Sequence, residues 1–215
     1  MKLFDLGVSI NDEKMKKFSS GKKKVYLISG ASRGGTSALA YALRRANIYF
    51  GDVDVNNHEL PDLMIPDLTE DKIKAAIDGL LVEEDVVGIK LPNFSFHLTY
   101  LTSQYPNSIL LYVIRNPLDV ASTIMSRSPV HGLNKSDLQM GIQHAFHFYF
   151  AMAKVLDQIE QPVYLLSFER MKAQSERFAT WLEEIGINLS DENRSELAKE
   201  IAAPGYKSIA KERSK

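Results

Sequence analysis

Two short turns hold the residues best suited to chemistry, and each follows an apolar run. The first is Gly30-Ala31-Ser32-Arg33-Gly34-Gly35-Thr36-Ser37. It is entered from Val25-Tyr26-Leu27-Ile28-Ser29 and left through Ala38 to Arg45, a run of strong helix formers. A strand, a glycine turn and a helix together aim backbone N–H groups and the positive end of a helix dipole at an oxyanion. Gly34 and Gly35 supply close approach and positive φ. Thr36 and Ser37 are placed to cap the helix and to donate O–H to the same anion. Arg33 is the only cation of the turn. The second turn follows Ser108-Ile109-Leu110-Leu111-Tyr112-Val113-Ile114 and reads Arg115-Asn116-Pro117-Leu118-Asp119-Val120-Ala121-Ser122-Thr123. Asn116 can cap a helix whose first turn suits Pro117. Arg115 stands where strand meets helix, with a planar fork suited to phosphate. Ser122 and Thr123, two turns further on, can add a hydroxyl.

The spacing Gly30-x4-Gly35 is that of a nucleotide-binding P-loop, but Thr36 stands where an NTPase carries lysine. With that departure, Ser32-Arg33-Gly34-Gly35-Thr36-Ser37-Ala38-Leu39 resembles the phosphosulfate loop of the sulfotransferases, Gly34 replacing the usual serine. Arg115-Asn116-Pro117-Leu118-Asp119-Val120-Ala121 resembles the second nucleotide segment of the same family. The resemblance implies 3′-phosphoadenosine 5′-phosphosulfate (PAPS) as co-substrate. Its 5′ end would lie on Arg33 and the amides of Gly34, Gly35, Thr36 and Ser37. Its 3′-phosphate would lie on Arg115 and the hydroxyl eight residues on, as in the family, which is Thr123, with Ser122 one residue before it as the alternative. The strand Val86 to Lys90 ends in a lysine, as in the family. Ile89-Lys90-Leu91-Pro92-Asn93 keeps the Lys and Pro of the family's Lys-Asp-Pro-Arg and loses the Asp and Arg. Glu59, with His58 beside it, matches an acidic residue that faces the acceptor; Asp52 and Asp54 are rivals for that place. Phe168-Glu169 is similar to the family's Tyr-Glu at the end of the last strand. Lys207, in Ala203-Pro204-Gly205-Tyr206-Lys207, resembles the basic segment that closes over the nucleotide. The activity so implied is transfer of a sulfuryl group to a hydroxyl or amine of a small-molecule or glycan acceptor, without a metal. Arg33, Lys90, Glu59 and His58 are the catalytic candidates. Two rival readings stand beside it: a P-loop kinase or NTPase using ATP, and a non-catalytic nucleotide-binding descendant of the fold.

These elements need one domain to position them. The chain has 215 residues, 45% of them hydrophobic, enough for a single sizeable core. A net charge of -1 argues against a polybasic nucleic-acid binder. The lack of cysteine excludes disulfides, thiol catalysis and Cys-ligated metals, and is compatible with a cytoplasmic location. No apolar signal region stands at the N-terminus, and no run approaches the roughly 20 apolar residues of a membrane span. His144 and His147 are three apart but have no third ligand, so no metal site is expected. Strand and helix patterns alternate, which predicts a single α/β domain with a mainly parallel β-sheet flanked by helices on both faces; the resemblance implies that this domain is of the P-loop type. Residues 1–23 read as a lead-in, 24–207 as the domain and 208–215 as a tail. A short strand is expected at Ile48-Tyr49-Phe50, then a polar loop from Asp52 to Pro66 long enough to be functional. Helices are expected from Leu68 to Leu81, from Asp137 to Ile159, and from the end of the last strand to Ile185 with Trp181 in the core. Residues 126–135 read as a loop able to wall an acceptor site.

Overall fold

The structure, a computed structural model, describes residues 1–126 and 135–203. Its six-stranded sheet comprises β1 (Lys2–Phe4), β2 (Gly7–Ile10), β3 (Lys24–Gly30), β4 (Val86–Lys90), β5 (Ser108–Ile114) and β6 (Val163–Ser167), in the order β1-β2-β6-β5-β3-β4. The four strands β6, β5, β3 and β4 run parallel. The β1–β2 hairpin adds antiparallel to the β6 edge. Part of the expected lead-in therefore extends the sheet, followed by the short helix α1 (Met15–Ser20).

The apolar runs are continuous because both faces of the parallel strands are covered. Tyr26 and Ile28 of β3, with Ile109, Leu111 and Val113 of β5, face one core. That core is closed by α2 (Thr36–Arg45), α7 (Phe168–Ala173), α8 (Ser175–Glu184) and α9 (Asp191–Ala202), with Trp181 buried in it. Val25 and Leu27 of β3, with Leu110 and Tyr112 of β5, face the other. There α3 (Glu70–Glu83), α4 (Leu98–Gln104) and α6 (Lys135–Val155) contribute Ile73, Ile77, Leu98, Leu101 and Met152. Each large apolar side chain so buried stabilises the fold by about 1.5–3 kcal/mol. Thr69 caps α3, its hydroxyl accepting from Lys72 N at 3.4 Å.

Several elements differ from expectation. Tyr49 makes one parallel bridge to Val87 rather than a strand. The helix after β6 breaks at Gln174 into α7 and α8. α6 ends at Val155, and a 3-10 turn, Leu156–Gln158, completes the span expected to Ile159.

The topology fixes where a site can lie. β3 is flanked by β4 on one side and by β5 on the other, so the strand order switches direction there. Ligands of open α/β sheets bind beyond the C-terminal strand ends at such a point. The register sets Gly30 beside Val113 and Ile28 beside Lys90, bringing the turns after β3, β4 and β5 to one edge. From β5 the chain passes directly into α5 (Pro117–Met125), with Asn116 Oδ1 accepting from Leu118 N at 2.9 Å.

Candidate functional site

Beyond those strand ends lies a cleft of about 640 Å³. One wall is the β3–α2 turn with Ser32, Arg33, Gly35, Thr36 and Ser37. Lys90, Leu91, Pro92 and Asn93 of the β4 end form another, together with Asn57, Glu59 and Leu63 to Pro66 of the long loop. Arg115, Thr123, Phe168 and Lys172 close the remaining side.

The β3–α2 turn is built by backbone geometry. Arg33 sits at φ 66 and Gly35 at φ 97, so positive φ falls on Arg33 and Gly35 rather than on both glycines. Gly34 has a steric reason instead: a Cβ there would lie 2.6 Å from the Ala31 carbonyl oxygen. Gly35 occupies the N-cap of α2, and no side chain caps the helix. The expected capping by Thr36 and Ser37 fails because both already lie inside its first turn. Thr36 is 3% exposed. The Ser37 hydroxyl donates to the Asn57 carbonyl at 3.3 Å.

The two turns meet. Arg115 Nη1 donates to the Arg33 carbonyl at 3.0 Å and to Thr123 Oγ1 at 3.2 Å. Of the two candidate hydroxyls, Thr123 joins Arg115 and lines the cleft, while Ser122 is exposed and does not line it. Arg115 Nε is buried with no hydrogen-bond partner among the described residues. Neighbours from α6 and from the end of β6 hold Arg115 in place. Tyr149 OH accepts from Arg115 N at 3.0 Å and donates to its carbonyl at 2.6 Å. Glu169 accepts from Asn116 N at 2.9 Å. The Phe168 ring lies under Gly35 and stacks on the Arg115 guanidinium at 4.9 Å. Lys172, one turn along α7 from Phe168, adds a further cation to the lining. Of these, only Phe168 and Glu169, through their place at the end of β6, gave a sequence signal; Tyr149 and Lys172 gave none.

Lys90 is 4% exposed, and its ammonium donates to the Asn57 carbonyl at 3.0 Å and pairs with the Glu59 carboxylate. Burial holds its pKa below the ordinary lysine value, against the opposing pull of Glu59. His58 is separated from its neighbour. It adopts φ 57, is 2% exposed, and its Nδ1 lies 2.8 Å from Arg44 Nη1, outside the cleft lining. An imidazole so turned is a correction to its reading as a group facing the acceptor. Asp52 is exposed and outside the lining. Asp54 folds back to accept from Asn56 N and Asn57 N at 2.9 and 2.8 Å. Partial burial works against the charge on Asp54, yet these amides hold its pKa below the ordinary carboxylate value.

A second cavity of about 370 Å³ shares Ser32 and Arg33 with the cleft and runs between α5 and α6 past Met125, Gly141 and His144. His144 and His147 pack on aromatic rings, Phe148 and Phe96 respectively. Among the described residues, no group of three His, Cys, Asp or Glu is arranged to hold a metal. No helix among them is long and apolar enough to cross a membrane. Lys207 and positions 127–134 of the expected acceptor-wall loop lie outside the described residues.

No protein-family model matches the chain, and no curated protein does either. Solved structures do. The crystal structure of sulfotransferase STF9 from Mycobacterium avium superposes with a TM-score of 0.55 at 12% identity, over 88% of this chain and 70% of that one. Mouse sulfotransferase SULT7A1, complexed with PAP, is similar at a TM-score of 0.49 and 14% identity, over 89% of this chain and 68% of that one. The fold is that of the sulfotransferases.

Proposed function

We propose that the protein is a PAPS-dependent sulfotransferase, moving a sulfuryl group to a hydroxyl or amine of a small-molecule or glycan acceptor. The observation that carries this reading is the junction of the two anion turns in one cleft, Arg115 reaching the Arg33 carbonyl at 3.0 Å. An adenosine carrying phosphates at both 3′ and 5′ positions suits two such turns side by side. Thr36 at the lysine position favours it over a Mg²⁺-dependent kinase.

Sulfuryl transfer, like phosphoryl transfer, asks mainly for alignment and for stabilisation of spreading negative charge. In this reading the amides of residues 34 to 37 cradle the 5′ end, and Arg33 and Lys90 face the oxygens around the leaving phosphate. Arg115 and Thr123 hold the 3′-phosphate, with Lys172 as an added countercharge. Glu59 lines the cleft and takes the acceptor proton. Side chains and amides neutralise the leaving group, so no metal enters the reaction. Radiolabelled transfer from PAPS to a panel of phenols, sugars and amines tests the reading. Transfer that disappears in Arg33→Ala supports it; near-normal turnover in that variant overturns the assignment of Arg33.

A further inference from the structure

The segment Asp54 to Glu59 is wound tightly on itself. Asp54 Oδ1 takes the amides of Asn56 and Asn57 at 2.9 and 2.8 Å. His58 N donates to the Asp54 carbonyl at 2.7 Å, and Asp54 N donates to the Glu59 carbonyl at 2.9 Å. His58, in left-handed backbone, fastens the turn to α2 through Arg44. The outcome is that the Asn57 carbonyl and the Glu59 carboxylate both sit on the Lys90 ammonium. The Asn57 carbonyl also takes the Ser37 hydroxyl. Two groups that would face an incoming anion, Lys90 and Ser37, are thus held by the loop.

A buried ammonium requires a countercharge, and removing it without replacement is strongly destabilising. Lys90 has one in Glu59. An anion entering the same cleft offers another, and one ammonium buried to this degree has little room to serve two. Resting on the sulfotransferase reading above, we propose that Glu59 is a base held in reserve: the donor's sulfonate takes its place on Lys90, and only then is its carboxylate free to receive the acceptor proton. The acceptor's oxygen or nitrogen then forms its bond to sulfur as the sulfur–oxygen bond to the 5′-phosphate breaks. The electron pair leaves on adenosine 3′,5′-bisphosphate, and the acceptor proton goes to Glu59. His58 is a positioning residue, acting through the loop that seats Glu59.

The test separates the sulfonate from the rest of the nucleotide. Wild type and Glu59→Asp are titrated calorimetrically with PAPS and with adenosine 3′,5′-bisphosphate, which lacks the sulfonate, in the absence of acceptor. The aspartate keeps the charge but withdraws it from Lys90 by one methylene. Competition at Lys90 predicts that PAPS tightens relative to the bisphosphate by about 5-fold, a coupling near 1 kcal/mol. His58→Ala, which unpins the loop and leaves Glu59 in the chain, shifts the ratio in the same direction by a smaller factor. In a Lys90→Met background the Glu59→Asp shift vanishes. A ratio unchanged in both variants, or moved toward the bisphosphate, overturns the proposal. Wild type that binds neither nucleotide refutes the sulfotransferase reading itself, which is a distinguishable result. Should Glu59→Asp fail to fold, His58→Ala with its Lys90→Met control decides the matter alone.

Discussion

Gly35→Ala is the perturbation whose consequences follow most directly from the packing. The new methyl would lie 2.1 Å from Phe168 Cδ2 and 2.6 Å from Cε2, well inside contact distance. The backbone at φ 97 adds a second penalty, about 1–2 kcal/mol for an L side chain in left-handed space. Relief of the overlap requires the Phe168 ring to move, and forced repacking of this kind costs about 1–3 kcal/mol. The sum is about 2–5 kcal/mol. For a chain of this size that lowers the melting temperature by roughly 4–20 °C. The displaced ring also leaves the Arg115 guanidinium, so a cation–π contact worth about 0.5–1 kcal/mol is lost at the other anion turn. The assay is a double-mutant cycle with Phe168→Ala, read by urea denaturation and by binding of adenosine 3′,5′-bisphosphate. With the ring gone, the alanine at position 35 should retain only its backbone penalty, about 1–2 kcal/mol. Strict additivity of the two substitutions would refute the steric link between the turns.

Other outcomes follow from the same geometry. Arg33→Gly should lose transfer activity as fully as Arg33→Ala yet match or exceed wild-type stability by up to about 1 kcal/mol, because glycine relieves the φ of 66; thermal denaturation of the pair checks this. Thr123→Ala removes a partner of Arg115 and should weaken adenosine 3′,5′-bisphosphate by about 10-fold, about 1.4 kcal/mol, whereas Ser122→Ala should leave it unchanged in the same titration. Burial lowers the Lys90 pKa from its unfolded value of 10.5, so between the two values the unfolded chain binds more protons. This group's contribution to stability therefore rises as pH rises toward 10.5 and is lost as pH falls through the lowered folded value. Denaturation of wild type against Lys90→Met across alkaline pH should show that slope only in wild type.

The parts of this architecture that read clearly from sequence are those set by local rules. β3 and β5 are continuous apolar runs because neither has a solvent face, and the turn residues after them punctuate the ends. Asn116 and Pro117 likewise start α5 where such residues start helices. What did not read was set by the phase of a helix or by contacts distant in the chain. The family spacing pointed to Thr123, but the choice between it and Ser122 was settled only by where each falls around α5, a difference of one residue, as small as the shift in a helix start that sequence leaves open. His58 and Glu59 are adjacent in sequence, but the left-handed backbone at His58 sends one side chain to Arg44 and the other to Lys90. The β1–β2 hairpin has strands of three and four residues, too few for alternation to show. Lys172 joins the site only because β6 lies beside β5 in the sheet, which no local pattern encodes.

The proposed function requires that one nucleotide with phosphates at both ends be gripped by both turns. Calorimetric comparison of adenosine 3′,5′-bisphosphate with adenosine 5′-monophosphate, in wild type and Arg115→Ala and without Mg²⁺, addresses it most directly. Wild type is expected to bind the bisphosphate about 100-fold more tightly, about 2.7 kcal/mol, and Arg115→Ala to abolish the difference. Equal binding of the two nucleotides by wild type, or a preference for ATP that appears only with Mg²⁺, would contradict it.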